Sequence, residues 1–127
     1  MNAKQLAAEA AVTLIEDGMK VGLGTGSTAY FAIQKIGRRV KEEGLRVTCI
    51  ATSVQSEELA KSLNIPMAGF EELSVLDITI DGADEADHQL QLIKGGGGAL
   101  LREKIIAYMT THYVIIADDS KYVETLG

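Results

Sequence analysis

The amino-acid sequence predicts an α/β fold, in which an open, mostly parallel sheet carries helices on both faces. Short apolar runs rich in β-branched residues alternate along the chain with segments whose apolar residues recur at helical spacing. Polar or glycine-rich stretches follow several of the strand-like runs. The 127 residues are 46% hydrophobic and 24% charged, which suits a single globular domain with a substantial core.

Four segments have the apolar spacing of helices. Leu6 and Leu14 share one face of the first segment, and Gly18 and Gly44 are stop signals for the first and second. Pro66 lies just beyond the third segment, where it prevents the helix from continuing. The predicted helices are residues 3–17, 30–43, 57–63 and 99–111.

Six apolar runs predict strands between and after these helices. The predicted strands are residues 20–23, 46–51, 65–68, 75–80, 90–93 and 113–117. Strands that alternate with helices pair in parallel, so a Rossmann-like sheet is expected. No internal repeat or interior linker divides the chain, which predicts one domain over residues 1–127.

The charge balance and the N-terminal residues limit the classes of partner. The formal net charge is −6 and no long basic run is present, which argues against binding to nucleic acid. The first residues, MNAKQLAAEAA, match neither a signal peptide nor a transmembrane segment, so a membrane partner is not expected. The single Cys49 cannot form an internal disulfide, and a buried free thiol is typical of a cytoplasmic protein.

The stretch GLGTGST at residues 22–28 indicates a phosphate site. Its glycines permit a tight turn, and Thr25, Ser27 and Thr28 offer hydroxyl groups before a helix. The dinucleotide pattern G-x-G-x-x-G fails because Ser27 stands at the last glycine position, and no Gly-Lys-Ser/Thr sequence follows. A monophosphate therefore fits better than a nucleotide, while a tight turn without a ligand is the alternative.

The stretch DGADE at residues 81–85 places two carboxylates, those of Asp81 and Asp84, at the end of a predicted strand. Clustered carboxylates suit acid–base chemistry on hydroxyl groups, or metal binding. Metal is the weaker interpretation, because His88 and His112 are far apart and have no ligand spacing. A solvated acidic loop is the alternative without chemistry.

The stretch KGGGGALLREK at residues 94–104 is the third unusual feature. Four consecutive glycines lead directly into a predicted helix, where free N–H groups and the helix dipole favour an anion. Lys94 precedes the glycines, and Glu103 lies just beyond the first helical turn as a candidate general base. A flexible linker is the alternative.

Loops that follow the strands of a parallel sheet gather at one edge, where ligands bind. The stretch DDSK, which ends at Lys121 and follows the last predicted strand, is expected to reach the same edge. The convergence of these loops therefore predicts one shared ligand site.

Taken together, GTGST at 24–28, DGADE at 81–85 and KGGGGALLREK at 94–104 closely resemble the type A ribose-5-phosphate isomerases. The resemblance extends over nearly the whole chain. The third motif of that family is often KGGGAALTREK, so Gly98 replaces an alanine here and Leu101 replaces a threonine. Neither change removes a group with an implied catalytic role.

The resemblance implies interconversion of D-ribose 5-phosphate and D-ribulose 5-phosphate through a cis-enediolate, in the non-oxidative pentose phosphate pathway. It also implies that no metal or organic cofactor takes part. The glutamate that matches Glu103 moves a proton between carbon 2 and carbon 1. The residues that match Asp81, Asp84 and Lys94 handle ring opening and the protons of the hydroxyl and oxyanion groups.

The resemblance further implies a set of substrate contacts, with Lys4 as an additional phosphate contact. The implied substrate-binding residues are Thr25, Gly26, Ser27, Thr28, Asp81, Gly82, Ala83, Asp84, Lys94, Gly95, Gly96, Gly97 and Lys121.

Members of this family continue into a small α+β domain and then return to complete the large one. The resemblance therefore implies that residues 1–127 form a single α/β phosphosugar-isomerase domain without the small C-terminal domain. The implied partners are a small-molecule sugar phosphate and a second copy of the protein in a homodimer.

Two other functions are compatible with parts of the pattern. A non-catalytic phosphosugar sensor needs the phosphate loop without Glu103, and is usually attached to a DNA-binding helix-turn-helix, which the N-terminal residues do not suggest. A related sugar-phosphate deaminase or lactonase is expected to place a catalytic histidine near the carboxylates, and His88 is the candidate for that role.

Overall fold

The computed structural model describes residues 3–69, 72, 75–82, 106, 108–116 and 122–126. The helices are α1 (Ala3–Val12), α2 (Gly26–Glu43) and α3 (Val54–Ser62). The strands are β1 (Met19–Leu23), β2 (Val47–Ala51), β3 (Leu76–Gly82), β4 (Thr110–Ile116) and β5 (Tyr122–Leu126). The predicted strand 90–93 lies outside the described residues, as does most of the predicted helix 99–111.

The five strands form one sheet in the order β2-β1-β3-β4-β5. Strands β1 to β4 pair in parallel, and β5 runs antiparallel to β4 at the edge. The expected 65–68 strand is reduced to a parallel bridge between Met67 and Cys49 beside β2. The mostly parallel α/β sheet that the sequence predicts is thus confirmed.

Hydrophobic side chains cover both faces of this sheet. The larger cluster joins α1, α2 and α3 to inward-facing residues such as Val21 on β1 and Ile80 on β3. A smaller cluster contains Ile50, Leu76 and Ile106, with Met109 packed against it. Because successive residues of a strand point to opposite faces, Ile50 faces away from its neighbours in the larger cluster. Residues 106, 108 and 109 are helical, so helical chain contributes to the second face as well.

Helix α3 begins at Val54 instead of residue 57, and two other predicted helix boundaries move for local reasons. Helix α1 ends at Val12 instead of residue 17, because the Thr13 hydroxyl donates to the Ala10 carbonyl and Arg39 donates to the carbonyls of Val12 and Ile15. These bonds satisfy carbonyl groups that a longer helix would use. Helix α2 begins at Gly26 rather than residue 30, so the glycine and hydroxyl residues of the first motif form its opening turn.

Strand β4 begins at Thr110, where the sequence analysis expected helix up to residue 111. The Thr110 hydroxyl donates to the Ile106 carbonyl and shares a hydrogen bond with the Thr79 hydroxyl of β3. This β-branched residue is therefore tied into the sheet. Strand β5 was missed entirely, because the short run 122–126 has a charged residue, Glu124, at its centre.

The described residues contain no helix that is both long enough and apolar enough to cross a lipid bilayer.

The burial of Ile80 leads to a test of the core. Its side chain is only 1% exposed and belongs to the hydrophobic cluster that joins the sheet to the helices. We expect Ile80→Ala to lower the free energy of unfolding by about 2–5 kcal/mol, because the vacated volume leaves a cavity. Leu6→Ala is the matched control, since Leu6 is 56% exposed on α1 and its loss should cost within about 0.5 kcal/mol. Equal midpoints of chemical denaturation for the two variants would contradict the placement of β3.

Because the thiol of Cys49 is buried, the free energy of unfolding depends on pH in the alkaline range. Burial raises the pKa of Cys49 from an ordinary value of 9.0 to about 12. Between these two values the unfolded chain loses the thiol proton and the folded chain retains it, so the free energy of unfolding falls as pH rises. The thiol contributes a slope of about 1.4 kcal/mol per pH unit in this window. Between pH 9 and 11, the free energy of unfolding should fall more steeply with pH in the native sequence than in Cys49→Ala, by about 1.4 kcal/mol per pH unit. Identical slopes in chemical denaturation would refute this expectation.

Candidate functional site

The carboxylate of Asp81 is buried at the carboxyl end of β3, with 1% of the residue exposed. Its Oδ1 atom accepts hydrogen bonds from the backbone N–H of Thr25 at 3.2 Å and of Gly82 at 2.9 Å. Its Oδ2 atom accepts from the Tyr113 hydroxyl at 2.9 Å. The carboxylate therefore ties the loop after β1 to β3 and β4. A buried charge needs such donors, because an uncompensated carboxylate is costly to remove from water.

Glycines on β1 make room for the polar side chains of β3. A Cβ atom at Gly24 would lie 2.2 Å from Asp81 Oδ1 and 2.7 Å from the Ile80 carbonyl oxygen. A Cβ at Gly22 would lie 2.2 Å from the Thr79 hydroxyl. The first glycine motif thus has a packing role, since its glycines allow β1 to lie directly beside a polar strand.

The same motif forms the start of α2. Thr25 precedes the helix, and Gly26 has φ of +95°, a conformation that favours glycine. Gly26 and Ser27 are exposed, and the first turn contains no acidic residue. Lys4 on α1 donates from Nζ to Ser27 Oγ at 3.2 Å, which places a cation at this helix start. The N–H groups, the helix dipole and the lysine all favour an anion here.

The Thr25 hydroxyl does not cap α2. It shares a 2.6 Å hydrogen bond with the hydroxyl of Thr52, which follows β2. The neighbouring helix α3 differs, because Ser53 accepts from the Ser56 N–H as a side-chain cap. The first-turn N–H groups of α2 are thus left without the Thr25 oxygen, as an anion-binding helix start requires.

Further contacts hold this loop to neighbouring segments. The Ser56 hydroxyl donates to the Gly24 carbonyl at 2.6 Å, and the Gly24 N–H donates to the Ile80 carbonyl at 2.9 Å. Thr28 is buried, and a Cβ at Gly82 would meet its side chain at 3.5 Å. The structure therefore brings together the first motif and the start of the second.

A groove of about 540 Å³ lies between α2 and α3. Its walls include Tyr30, Phe31 and Leu59, and it reaches Gly26 and Ser27 at the helix start. Asp81 is not among the residues that line this groove.

Metal ligands do not cluster in the part of the chain that the structure describes, where no group of three His, Cys, Asp or Glu residues could hold an ion. His112 lies on β4 and is partly buried.

The structure thus places Thr25, Gly26, Ser27, Thr28, Asp81 and Gly82 at one edge of the sheet, together with Lys4. The other predicted site residues lie outside the described residues: Ala83, Asp84, Lys94, Gly95, Gly96, Gly97, Glu103 and Lys121. Three residues that support the site, Thr52, Ser56 and Tyr113, are not predicted from the sequence. Thr52 belongs to a polar stretch that the sequence showed after β2, whereas Tyr113 gave no signal because its role depends on strand register.

The sequence is similar to those of known proteins. The sequence model of the family Ribose 5-phosphate isomerase A (phosphoriboisomerase A) matches residues 48–127. A ribose-5-phosphate isomerase A from Bacillus mycoides is 58% identical over 127 residues, which is 100% of this chain and 57% of the relative. A second from Streptococcus pneumoniae is 51% identical and covers 99% of this chain and 56% of the relative. The chain therefore spans little more than half the length of these curated relatives.

Solved structures agree with these sequence matches. Ribose 5-phosphate isomerase A from Methanocaldococcus jannaschii superposes with a TM-score of 0.77 at 44% identity, covering 94% of this chain and 53% of that one. A D-ribose-5-phosphate isomerase in complex with phospho-erythronic acid has a TM-score of 0.78 at 40% identity, with 95% and 55% covered. Both similarities support the same α/β architecture.

The close approach of β1 to Asp81 gives a test of the site's packing. We expect Gly24→Ala to lower the free energy of unfolding by about 1–3 kcal/mol, because the new methyl group overlaps the carboxylate and the Ile80 carbonyl. Gly82→Ala is the matched control at the adjoining strand end, where the added methyl group makes an ordinary contact with Thr28. Its effect should stay within about 1 kcal/mol. Chemical denaturation of both variants provides the measurement, and equal losses would contradict the described packing.

Proposed function

This chain belongs to the ribose 5-phosphate isomerase A family, and from that premise we propose that it interconverts D-ribose 5-phosphate and D-ribulose 5-phosphate. The reaction is a step of the non-oxidative pentose phosphate pathway. The proposal concerns the intact protein, since the chain covers 57% of the length of a named relative.

The observation that carries the proposal is the hydrogen bond from the Thr25 N–H to Asp81 Oδ1. It joins the residue before α2 to a buried carboxylate on β3. An anion held at the helix start would therefore lie beside a group capable of acid–base chemistry. A phosphorylated sugar presents both features, because its phosphate is an anion and its hydroxyl groups exchange protons.

We assign the phosphate to the start of α2. The exposed Gly26 and Ser27 are available to it, and Lys4 supplies a positive charge next to the Ser27 hydroxyl. Because the Thr25 hydroxyl is bonded to Thr52, the loop is held in shape before a ligand arrives. Such preorganisation lowers the cost of ordering the site on binding. Lys121 is proposed as a second cation for this phosphate.

The chemical steps require groups that give and take protons. Asp81, together with Asp84 and Lys94, is proposed to open the sugar ring and to handle the hydroxyl and oxyanion protons. In the open-chain aldose, Glu103 removes the proton from carbon 2. A cis-enediolate forms, in which oxygen 1 gains a proton and the hydroxyl on carbon 2 loses one. Return of the proton from Glu103 to carbon 1 then yields the ketose. Lys94 stabilises the negative charge that develops on the enediolate oxygen. Gly95, Gly96 and Gly97 form the proposed surface beneath these carbons.

The proposal extends to the setting of the protein. We propose a cytoplasmic homodimer whose substrate is a small sugar phosphate, with residues 1–127 as its α/β domain. No cofactor has a role in the proposed steps.

The role of Glu103 as general base is the part of the proposal that a single substitution tests most directly. We expect Glu103→Gln in the intact protein to reduce interconversion by at least about 100-fold, because general base catalysis commonly contributes that much. Binding of phospho-erythronic acid, followed by calorimetry, should change little because the phosphate contacts remain. Glu58→Gln on α3 is the control, since Glu58 is exposed and lies outside the proposed site.

The outcomes separate the candidate functions. Exchange of the carbon-2 proton at the normal rate in Glu103→Gln would refute the assigned base. A wild-type protein that binds phospho-erythronic acid but does not interconvert the sugars would refute the isomerase and favour a phosphosugar sensor.

A further inference from the structure

We propose that Tyr113 is a positioning residue, whose hydroxyl fixes the orientation of the Asp81 carboxylate for proton transfer. The inference rests on the proposed function, because it assigns Tyr113 a part in the same reaction. It is carried by the hydrogen bond from the Tyr113 hydroxyl to Asp81 Oδ2 at 2.9 Å.

The strand register explains how this contact arises. Tyr113 is opposite Thr79 across the parallel pair of β3 and β4, whereas Asp81 is opposite Ile115, two residues farther along. Residues paired in this way share one face of the sheet, so Tyr113 and Asp81 are diagonal neighbours on that face. A tyrosine is long enough to reach across this diagonal, and its hydroxyl arrives at the strand end.

Burial distinguishes this hydroxyl from a chance surface contact. Tyr113 is 6% exposed and Asp81 is 1% exposed. A phenylalanine could supply the same ring to the interior, but it could not donate to the carboxylate. Burying a tyrosine hydroxyl costs free energy unless the hydroxyl is hydrogen-bonded. Here the hydroxyl donates to a charged acceptor.

The geometry of the donors indicates what the hydroxyl does. Rotation of a carboxylate about its last side-chain bond has broad energy minima, so this group is easily turned. The N–H groups of Thr25 and Gly82 hold Oδ1, and the Tyr113 hydroxyl holds Oδ2. Bonds to both oxygens fix the plane of the carboxylate. Removing the Tyr113 hydroxyl takes a donor from Oδ2 and loosens the orientation of the carboxylate. A misplacement of about 1 Å can reduce a rate about 100-fold.

The first measurement compares two conservative substitutions in the intact protein. We expect Tyr113→Phe to lower kcat for ribose 5-phosphate by about 10- to 100-fold. KM should stay within about threefold, because the phosphate contacts are untouched. Tyr108→Phe is the matched control, since Tyr108 is 76% exposed and is not among the residues proposed for the site. A kcat for Tyr113→Phe within about twofold of wild type would overturn the proposal.

A double-mutant cycle then asks whether Tyr113 acts through Asp81. The variants are Tyr113→Phe, Asp81→Asn and the two combined. If the hydroxyl serves to orient the carboxylate, Tyr113→Phe should change kcat by less than about twofold when Asp81→Asn is already present. An equal loss in both backgrounds would overturn the proposal and indicate a structural effect.

The same cycle measured by chemical denaturation separates this inference from the proposed function. A wild-type protein without isomerase activity would refute the proposed function alone. In that case, or if Asp81→Asn leaves too little turnover to measure, coupled changes in unfolding midpoint support the hydrogen bond between the hydroxyl and the carboxylate, on which the inference depends. Additive changes in midpoint would overturn it.

Discussion

The buried carboxylate of Asp81 is the constraint on which this edge of the sheet depends. One charged group accepts hydrogen bonds from the residue before α2, from its own strand end and from the middle of β4. Each donor compensates part of the cost of removing the charge from water. Since the donors come from three segments, the positions of those segments are coupled. Moving the loop after β1 would remove one donor from Oδ1, and moving β4 would remove one donor from Oδ2.

Polar residues on the strands around this charge form two rows that cross the sheet. Gly22 leaves space for Thr79, which is bonded to Thr110 on β4. Two residues farther along, Gly24 leaves space for Asp81, which is bonded to Tyr113. The first row lies within the sheet and joins strands through neutral hydroxyls. The second repeats the pattern at the strand end with a charge, where a ligand can approach. The two rows of polar residues thus differ mainly in their position along the strands.

The sequence was sufficient to predict the type of fold, because alternating apolar runs and helical segments constrain the sheet to be mostly parallel. It also placed the glycine loop and Asp81 at one edge of the sheet, since the carboxyl ends of parallel strands meet there whatever the exact strand boundaries are. Boundaries were less predictable. Residues 26–28 look like loop by composition but open α2, and Thr110 joins β4 through contacts made only in the folded state. Tyr113 could not be foreseen as a partner of Asp81, because a shift of one residue in register would turn it to the opposite face.

Two of the residues that donate hydrogen bonds to Asp81 are far from it in the sequence. This separation affects the order in which the contacts form during synthesis. Thr25 precedes Asp81 by 56 residues, and Tyr113 follows it by 32. During synthesis, the chain completes β1 and β3 well before the tyrosine of β4 leaves the ribosome. Until then the carboxylate lacks one of its donors, and water is its better environment. Docking of β4 thus replaces water at Oδ2 with the Tyr113 hydroxyl. The order of synthesis therefore makes β4 the strand that closes this edge of the nascent domain.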